Sequence, residues 1–421
     1  MNRILYVLLA LITLPALGQE MQRVRQTIAH LASPELHGRG YAFKGDSLAA
    51  HYLQQQYTSL GLQPFAGSYL QHFTLPVNIL DNQLSLKIDG KALTPGVDFL
   101  AHAASAAGQG KGFVYRIDTL LLKDPDEAQT FLGQNLRKQV LVVRQRHFQD
   151  LMNLPEPFKK QLQKAAAVIV LQTGPKVMAT VRSFQYPVPV LEVLEKSWPA
   201  QAKQIEFAVD AHLEKNYRSQ NVIGFVPGTS KPDSFLVVTA HYDHVGRIGK
   251  DVLFPGAHDN ASGTAMLLEL ARHYAQPQNR LPYSVAFMAF AAEEAGLVGS
   301  EYYTEHPLFP LANIKMLLNL DLMSTGEEGM MVVNGSVYPQ QFSLLQQLNQ
   351  QHQFLPALKV RGKASNSDHY FFSKKGVPSF FFYTLGGTTT EYHHPKDTAG
   401  TLPLTKFKEV MGLIQAFFKA L

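Results

Sequence analysis

The chain has 421 residues, of which 46% are hydrophobic and 17% charged, a composition that excludes a disordered protein and a length that suggests two domains. The net charge is +5, and the Lys and Arg residues are dispersed without a basic stripe, which argues against a nucleic-acid partner. The chain contains no cysteine, so disulfides, thiolate ligands and thiolate nucleophiles are excluded.

Residues 1–18 have the pattern of a secretory signal peptide. Arg3 gives a positive start, residues 4–17 are mostly apolar, and Ala16-Leu17-Gly18 offers small residues for cleavage before Gln19. The apolar core is shorter than the roughly 20 residues that a membrane span needs, although an uncleaved anchor is the alternative. We therefore expect a secreted or periplasmic protein with no membrane span after cleavage.

Two helices are predicted in the next segment. The first covers 21–32. The second begins at a cap formed by Asp46 or Ser47, ends at Gly61, and buries one face. The residues of that face are Leu48, Tyr52, Leu53 and Leu60. Between the helices, His37-Gly38-Arg39-Gly40 is interpreted as a turn with surface charge, although its residues could line a site.

From about residue 81 to 213, short apolar runs alternate with turn residues. Leu84–Ile88 alternates in polarity and is followed by Asp89-Gly90, which predicts a hairpin. Further strands are expected at 140–143, 167–171 and 188–191, with a helix between 158 and 166. No catalytic constellation stands out here, and the isolated His147 is interpreted as structural. We predict a small β-rich insert.

An α/β pattern opens after Asn221. Strands are predicted at 235–240, 284–290, 315–320, 330–333 and 378–383. Helices are predicted at 262–275, 297–305, 338–352, 367–375 and 403–420. This alternation predicts an α/β fold with a mostly parallel central sheet flanked by helices on both faces.

Polar side chains follow these predicted strands. His241 closes the apolar run 236–240, and Asp243 could orient its ring, as carboxylates often do for metal-binding histidines. Asp259 precedes a helix and is either an inward carboxylate ligand or a helix cap. Asp321 ends an apolar strand, where a single buried carboxylate needs a partner.

Two further clusters complete the set. Glu293 and Glu294 are adjacent and point in different directions, so one can bind metal while the other faces water; the alternative is a charged helix start. His393 with Asp397 repeats the pairing of histidine and carboxylate, and His394 competes for the ligand role.

Together these residues fit a pair of divalent ions. Two ions ~3.5–4 Å apart are a known arrangement for hydrolysis, and they lower the pKa of a shared water toward ~7. Asp259 could bridge them, each ion then needing one His and one further carboxylate. Mixed nitrogen and oxygen ligands suit Zn²⁺. Glu293, left uncoordinated, could take a proton from the water and pass it to the leaving amine.

At these residues the chain resembles the M28 family of zinc peptidases. The series His-x-Asp, Asp-Asn-Ala-Ser-Gly, Ala-Glu-Glu, Leu-Asp and His-x-x-x-Asp-Thr occurs in family order. The resemblance implies the zinc aminopeptidase, phosphorylase/hydrolase-like fold, with a peptidase domain at 19–80 and 214–421. It also implies that 81–213 is an insert similar to a protease-associated (PA) domain.

The resemblance also implies roles for single residues. The implied ligands of two Zn²⁺ per chain are His241, Asp259, Glu294, Asp321 and His393, with Asp259 bridging. Glu293 matches the general base, and Asp243 matches the residue that orients the first histidine.

The chain departs from the family in two places. Many relatives have Asp at the position of His258, and some aminopeptidases have a Tyr at the position of Ala364, just before Ser367-Asp368-His369. That Tyr helps to stabilise the tetrahedral intermediate, so the source of oxyanion stabilisation stays open.

The activity implied is that of a secreted aminopeptidase acting on peptides or proteins with a free N-terminus. Alternatives are a glutaminyl-cyclase-like acyltransferase, a non-catalytic binding protein, and a carboxypeptidase using Arg361 and Lys363. The complete ligand set argues against the first two. The preferred N-terminal residue, the peptide length, the metal used in the cell, the role of the insert and the oligomeric state stay open.

Overall fold

The structure is a computed structural model that describes residues 19–117, 124–387 and 391–421. The predicted signal peptide, residues 1–18, lies outside the described residues. Within the described part of the chain, no helix is both long and apolar enough to cross a membrane. Two large sheets organise the molecule, one of nine strands and one of eight.

The strands and helices are numbered in chain order. The strands are β1 (Gln63–Pro64), β2 (Leu70–Ile79), β3 (Leu84–Ile88), β4 (Lys91–Ala92), β5 (Phe99–Ala101), β6 (Gly108–Arg116), β7 (Gln139–Arg144), β8 (Ala167–Gln172), β9 (Val190–Leu194), β10 (Gln204–Val209), β11 (His212–Val226), β12 (Lys231–His241), β13 (Gly246–Ile248), β14 (Val252–Phe254), β15 (Tyr283–Phe290), β16 (Ile314–Leu320), β17 (Gly329–Val333), β18 (Leu358–Val360) and β19 (Ser379–Leu385). The helices are α1 (19–31), α2 (Gly45–Ser59), α3 (Pro125–Gly133), α4 (Gln145–Met152), α5 (Glu156–Leu162), α6 (Ser262–Ala275), α7 (Val298–Glu305), α8 (Pro339–His352), α9 (His369–Lys374) and α10 (Phe407–Ala420).

The large sheet has the order β1-β11-β15-β12-β16-β19-β17-β18, with β2 also paired to β11. Its four central strands, β15, β12, β16 and β19, are parallel, and antiparallel pairs are added outside them. The central strands are almost wholly buried, as their continuous apolar runs require. The predicted α/β architecture is confirmed, and the carboxyl ends of the central strands share one edge.

The insert sheet has the order β4-β3-β10-β6-β7-β8-β9-β5, and all of its strands lie between residues 84 and 209. The predicted hairpin is confirmed by the pairing of β3 with β4. The strands β6 to β9 run parallel. Strand β9 begins at Val190 and not at Val188 as predicted, in keeping with the missing N–H of Pro189.

An apolar cluster joins the insert sheet to the separate β13–β14 hairpin. The buried side chains of the insert sheet pack with Val245, Ile248, Val252 and Phe254, which belong to the β13–β14 hairpin and its approach. Because that hairpin follows directly on His241, the insert packs against the segment that leads away from the first predicted ligand.

The start of α2 corrects one expectation. Lys44, and neither Asp46 nor Ser47, is the residue that precedes the helix, and Asp46 lies inside it. The Asp46 carboxylate is buried and accepts hydrogen bonds from the Tyr217 hydroxyl at 2.6 Å and the Ser219 hydroxyl at 2.7 Å. Asp46 therefore ties α2 to β11.

The buried face of α2 also differs from the prediction. Leu48 was expected to be buried but is 42% exposed. Leu53 is buried as predicted, and the other buried apolar side chains of the helix are Ala49, Ala50 and Tyr57. Leu48 lies outside this stripe, because the stripe is set by where β11 and β15 pass beneath the helix; Tyr57, for example, donates to the carbonyl of Phe287.

Candidate metal centre

The shared edge of the central strands gathers the predicted site. His241 is the last residue of β12, Asp321 directly follows β16, and Glu294 lies four residues beyond the end of β15. Asp259 comes from the turn before α6, and His393 from the loop after β19. The structure thus brings together five residues that are 152 positions apart at their extremes, from 241 to 393.

The first cluster consists of His241, Asp259 and Asp321. The Nε2 atom of His241 lies 3.3 Å from Oδ1 of Asp259 and 3.4 Å from Oδ1 of Asp321. All three residues are buried, and one ligand atom from each lies within 4.8 Å of the others. This spacing suits three ligands around a single cation.

The second cluster consists of His244, Asp259, Glu294 and His393. The Nε2 atom of His393 lies 3.0 Å from Oδ2 of Asp259 and 3.2 Å from Oε2 of Glu294. Asp259 therefore belongs to both clusters, with one carboxylate oxygen turned toward each histidine. A carboxylate that bridges two cations needs this arrangement.

The clusters contain polar atoms that lack partners. Among the described residues, His241 Nε2, His393 Nε2 and Asp321 Oδ1 are buried and have no hydrogen-bond partner. Buried polar atoms in native proteins are nearly always satisfied, and a cation would satisfy these. The donor set of imidazole nitrogens and carboxylate oxygens suits zinc. The residues present therefore fit a pair of divalent cations.

The charged groups of the second cluster shift one another's pKa values strongly. Burial would lower the pKa of His393, but the carboxylates of Glu294 and Asp259 outweigh it and raise that pKa to about 11. Burial would raise the pKa of Glu294, but His393 and His244 hold it at about 2. At neutral pH these carboxylates are ionised, and the charge that they attract is positive.

Asp243 joins the ends of two strands. Its carboxylate accepts hydrogen bonds from the backbone N–H groups of Glu293 at 3.2 Å and Glu294 at 3.3 Å. Its Oδ1 lies 3.7 Å from Nδ1 of His241, whereas its backbone carbonyl oxygen is closer to that nitrogen, at 3.2 Å. Asp243 thus contacts His241 mainly through its backbone and holds the Glu-Glu pair with its side chain.

The expected pairing of His393 with Asp397 is wrong. Asp397 instead accepts hydrogen bonds from the backbone N–H of His258 at 2.8 Å and of Asp259 at 3.2 Å, which fixes the turn that carries Asp259. Nδ1 of His393 lies 2.8 Å from the carbonyl oxygen of Ala179, in the insert. His394, the predicted competitor, pairs with Glu391 at 2.8 Å and belongs to neither cluster.

His244 is a site residue that the sequence analysis missed. Its ring is fully buried, and its Nδ1 lies 2.7 Å from Oε1 of Glu294. The signal was the second histidine of His241-Tyr242-Asp243-His244. Because β12 ends at His241, the alternation of a strand no longer applies there, and the turning chain brings both histidines to the site.

Arg39 was interpreted as surface charge, and this is wrong, because its side chain is fully buried. The guanidinium donates to the carbonyl oxygens of Tyr242 at 2.6 Å, Pro255 at 2.7 Å and Gly256 at 2.7 Å. It also donates to the carbonyl of Asp259 at 3.3 Å. Arg39 therefore fixes the backbone of the two segments that carry His241 and Asp259.

The glycines beside Arg39 explain its burial. A Cβ atom on Gly38 would lie 2.3 Å from the carbonyl oxygen of Phe254, and one on Gly40 would lie 2.5 Å from Cα of Gly246. Both distances are too short for any side chain. The Gly-Arg-Gly sequence thus lets the lead-in backbone press against the β13–β14 hairpin, and this contact carries the guanidinium inside.

The other residues singled out in the sequence belong to neither cluster. Nδ1 of His258 lies 2.7 Å from the hydroxyl oxygen of Ser324, outside both clusters. Ser367 accepts a hydrogen bond from Asn319 at 2.8 Å, and burial raises the pKa of Asp368 to about 7. Arg361 and Lys363 are exposed.

The chain is similar to known peptidases. The model of peptidase family M28 matches residues 221–418. Aminopeptidase YwaD of Bacillus subtilis is 35% identical over 144 residues, which cover 34% of this chain and 30% of that protein. A probable zinc metalloprotease of Leptosphaeria maculans is 38% identical over 119 residues, which cover 27% of this chain and 26% of that protein. The alignments thus span less than a third of either relative.

Solved structures extend the likeness to almost the whole fold. BSAP, a zinc aminopeptidase from Bacillus subtilis, superposes with a TM-score of 0.68 at 22% identity, covering 94% of each chain. A peptidase M28 precursor from Shewanella amazonensis superposes with a TM-score of 0.67 at 16% identity, covering 97% of this chain and 96% of that one. The family model thus matches the part of the chain that carries the predicted ligands, and the solved structures share the fold over almost its whole length, so the chain is similar to peptidase family M28.

Proposed function

We propose that the protein is a two-zinc metallo-aminopeptidase that removes N-terminal residues from peptides or proteins. The carboxylate of Asp259, placed between His241 and His393 with one oxygen toward each, is the observation that carries this proposal. The names of aminopeptidase YwaD and the probable zinc metalloproteases support it.

Two sets of residues would hold the ions. His241 and Asp321 would bind one ion and His393 and Glu294 the other, with Asp259 shared between them. When bound, zinc supplies Lewis acidity toward a carbonyl oxygen and lowers the pKa of water. His244 would hold Glu294 in place through its Nδ1, at 2.7 Å from Oε1.

Glu293 would hold and move the proton. It belongs to neither cluster, yet its backbone is fixed through Asp243 beside Glu294. Burial raises the pKa of Glu293 well above its usual value, and the charges of Glu294 and Asp368 add to this. A carboxylate with a raised pKa accepts a proton from water more readily and can return it to the leaving amine.

The charge of the site favours an N-terminal substrate. Beyond the proposed ligands, the side chains that interact with His241 and Asp321 include the acids Glu293 and Asp368, which can accept hydrogen bonds from the amino group of a free N-terminus. A carboxypeptidase would need cations for a terminal carboxylate, and the candidates Arg361 and Lys363 are exposed. Aminopeptidase activity is therefore the better supported of the two.

Two further proposals concern the chain outside the site. The pattern of residues 1–18 supports secretion or periplasmic location. The separate insert sheet between residues 84 and 209 supports an inserted domain of the protease-associated type within a peptidase domain at 19–80 and 214–421.

A panel of aminoacyl fluorogenic substrates tests the activity. We expect cleavage of substrates with free N-termini, none of their N-acetylated forms, loss on chelation, and recovery on addition of zinc. Cleavage that survives exhaustive chelation, or that acts equally on the acetylated forms, would contradict the proposal.

A further inference from the structure

A loop of the insert reaches the candidate metal centre. Residues 173–189, which connect β8 to β9, are called the insert loop below. Nδ1 of His393 lies 2.8 Å from the carbonyl oxygen of Ala179, and the Ala179 N–H donates to the carbonyl oxygen of His393 at 3.2 Å. A carbonyl oxygen can only accept, so the proton of the neutral ring lies on Nδ1. The lone pair of Nε2 is then directed at Asp259 and Glu294, where a cation would bind.

The insert loop is fixed by packing and hydrogen bonds on both sides of Ala179. Val177 and Ala179 are 4% and 3% exposed and pack in the apolar cluster of the insert sheet. Downstream, the carbonyl oxygen of Arg182 accepts a hydrogen bond from the Asn78 N–H at 2.8 Å. On the approach to Ala179, the Lys176 ammonium lies 3.2 Å from the Glu391 carboxylate, two residues before His393. The carbonyl of Ala179 is therefore a fixed acceptor.

His393 needs such support because of its backbone. Its φ is +51°, in the left-handed region that residues with a side chain seldom adopt. Such a conformation is strained and persists where the surroundings hold it. The paired hydrogen bonds with Ala179 act on the backbone and on the ring of this residue together.

The other histidine is supported differently. Nδ1 of His241 lies 3.2 Å from the carbonyl oxygen of Asp243, which belongs to the same turn. The position formed by His241, Asp259 and Asp321 thus orients its histidine from within its own segment, whereas the position of His393 and Glu294 depends on the insert loop.

We infer that the insert is a positioning element for one of the two metal positions: the backbone of Ala179 orients His393 and thereby sets the metal affinity of the position that His393 shares with Glu294 and Asp259. This inference rests on the proposed two-metal function. Partners that orient a metal-binding histidine are typically worth about 10- to 100-fold in metal affinity. An effect of that size, confined to one position, is expected.

The test compares Ala179→Pro with Ala179→Gly in the full chain. Proline removes the N–H that donates to His393 and restricts the loop, whereas glycine keeps both backbone groups. Zinc is titrated against a chromophoric chelator, and bound metal is counted by elemental analysis. We expect two ions in the wild type and in Ala179→Gly, and in Ala179→Pro one ion weakened about 10- to 100-fold with the other unchanged.

Double variants assign the weakened position. Adding Ala179→Pro to His393→Ala should cause no further loss of metal, whereas adding it to His241→Ala should weaken the ion that remains. Wild-type affinity for both ions in folded Ala179→Pro, or equal weakening of both, would overturn the inference. Fewer than two ions in the wild type would instead contradict the proposed function itself.

A surface variant keeps the test informative if Ala179→Pro does not fold. Lys176→Met removes the ion pair with Glu391 and leaves the insert core unchanged. It should weaken the same ion, by a smaller factor, while the matched control Lys160→Met on α5 leaves both affinities at the wild-type value. Identical affinities in Lys176→Met and Lys160→Met would count against the inference.

Discussion

The two large sheets of this protein each contain four adjacent parallel strands, but they differ in what their edges carry. Each places parallel strands side by side, so that their carboxyl ends form a common edge. At the edge of the large sheet, His241 and Asp321 converge with acids from the neighbouring loops. At the edge of the insert sheet, Arg116 and Arg144 line a cavity of about 550 Å³ together with Arg146 and His147.

The comparison shows that strand order provides a crevice and side chains decide its chemistry. In the insert, two of the arginines that line this cavity have partners: Arg116 donates to the carbonyl of Ala200, and Arg146 donates to His147. At the large sheet, buried nitrogen and oxygen atoms of His241, His393 and Asp321 lack partners within the described chain. The large sheet is therefore where a cation is expected.

The largest expected effect is a fall in kcat on substitution of an acid at the large sheet, with no such fall on substitution of an acid at the insert sheet. Glu293→Gln should lower kcat by about 10²- to 10⁴-fold, because the proton-transferring group is lost while the ligands stay. Glu206→Gln, on the exposed side of the insert sheet, should leave kcat unchanged. Steady-state kinetics and elemental analysis check both variants, and unchanged turnover in Glu293→Gln would reject its role.

The next effect is on the zinc content of the protein, compared between histidine variants at the edges of the two sheets. His241→Ala should lose about one zinc ion per chain, because the first cluster then keeps only carboxylates. His147→Ala, which alters the histidine at the edge of the insert sheet, should keep both ions. Dialysis followed by elemental analysis gives the counts, and two ions retained in His241→Ala would refute the ligand assignment.

Stability distinguishes the arginines of the two regions. Arg39→Met should reduce the free energy of unfolding by at least about 3 kcal/mol, since several buried carbonyl oxygens lose their donor at about 1–3 kcal/mol each. Arg116→Met, which is exposed in the insert, should change it by less than about 0.5 kcal/mol. Urea denaturation measures both, and equal values would contradict the structural role of Arg39.

The smallest expected effect is a dependence of stability on pH. Burial raises the pKa of Asp46 to about 6, above its ordinary 3.8, although hydrogen bonds from Tyr217 and Ser219 oppose the rise. Because the folded state binds this proton more tightly than the unfolded state, the stability that Asp46 contributes is fully present below pH 3.8 and is lost as pH rises through 6. The loss is on the order of 3 kcal/mol.

Asp46→Asn isolates that contribution. The difference in unfolding free energy between wild type and variant, measured by urea denaturation from pH 4 to 7, should change across this window. A difference that stays constant with pH would show that Asp46 does not titrate there.

The sequence predicted the framework well because its signals are local. The strand at 235–240 is a continuous apolar run, as a strand buried on both faces must be, and the structure places β12 there. The five predicted ligands meet because each follows a strand or begins a helix at the same edge. The hairpin at Asp89-Gly90 was likewise predicted from residues that are adjacent in the sequence.

The remaining contacts had no local signal. Ala179 acts through a backbone carbonyl, which any residue would provide, so its sequence says nothing of His393. Arg39 is more than 200 positions from the carbonyls of Tyr242, Pro255 and Gly256 that it binds, and a charged residue beside glycines is usually solvated. His244 was missed because it lies in a turn, where the alternation of side chains along a strand does not predict which way a side chain points.

The buried guanidinium of Arg39 has a consequence for how this protein can be shortened. The family match begins at residue 221, and a fragment cut there would retain every predicted ligand. It would nevertheless leave the carbonyls of Tyr242, Pro255 and Gly256 without their donor and would discard the acceptor at Ala179. A fragment with boundaries drawn from homology would thus lack the contacts that hold its metal ligands in position. Expression of the protein should therefore keep the chain from residue 19 onward intact.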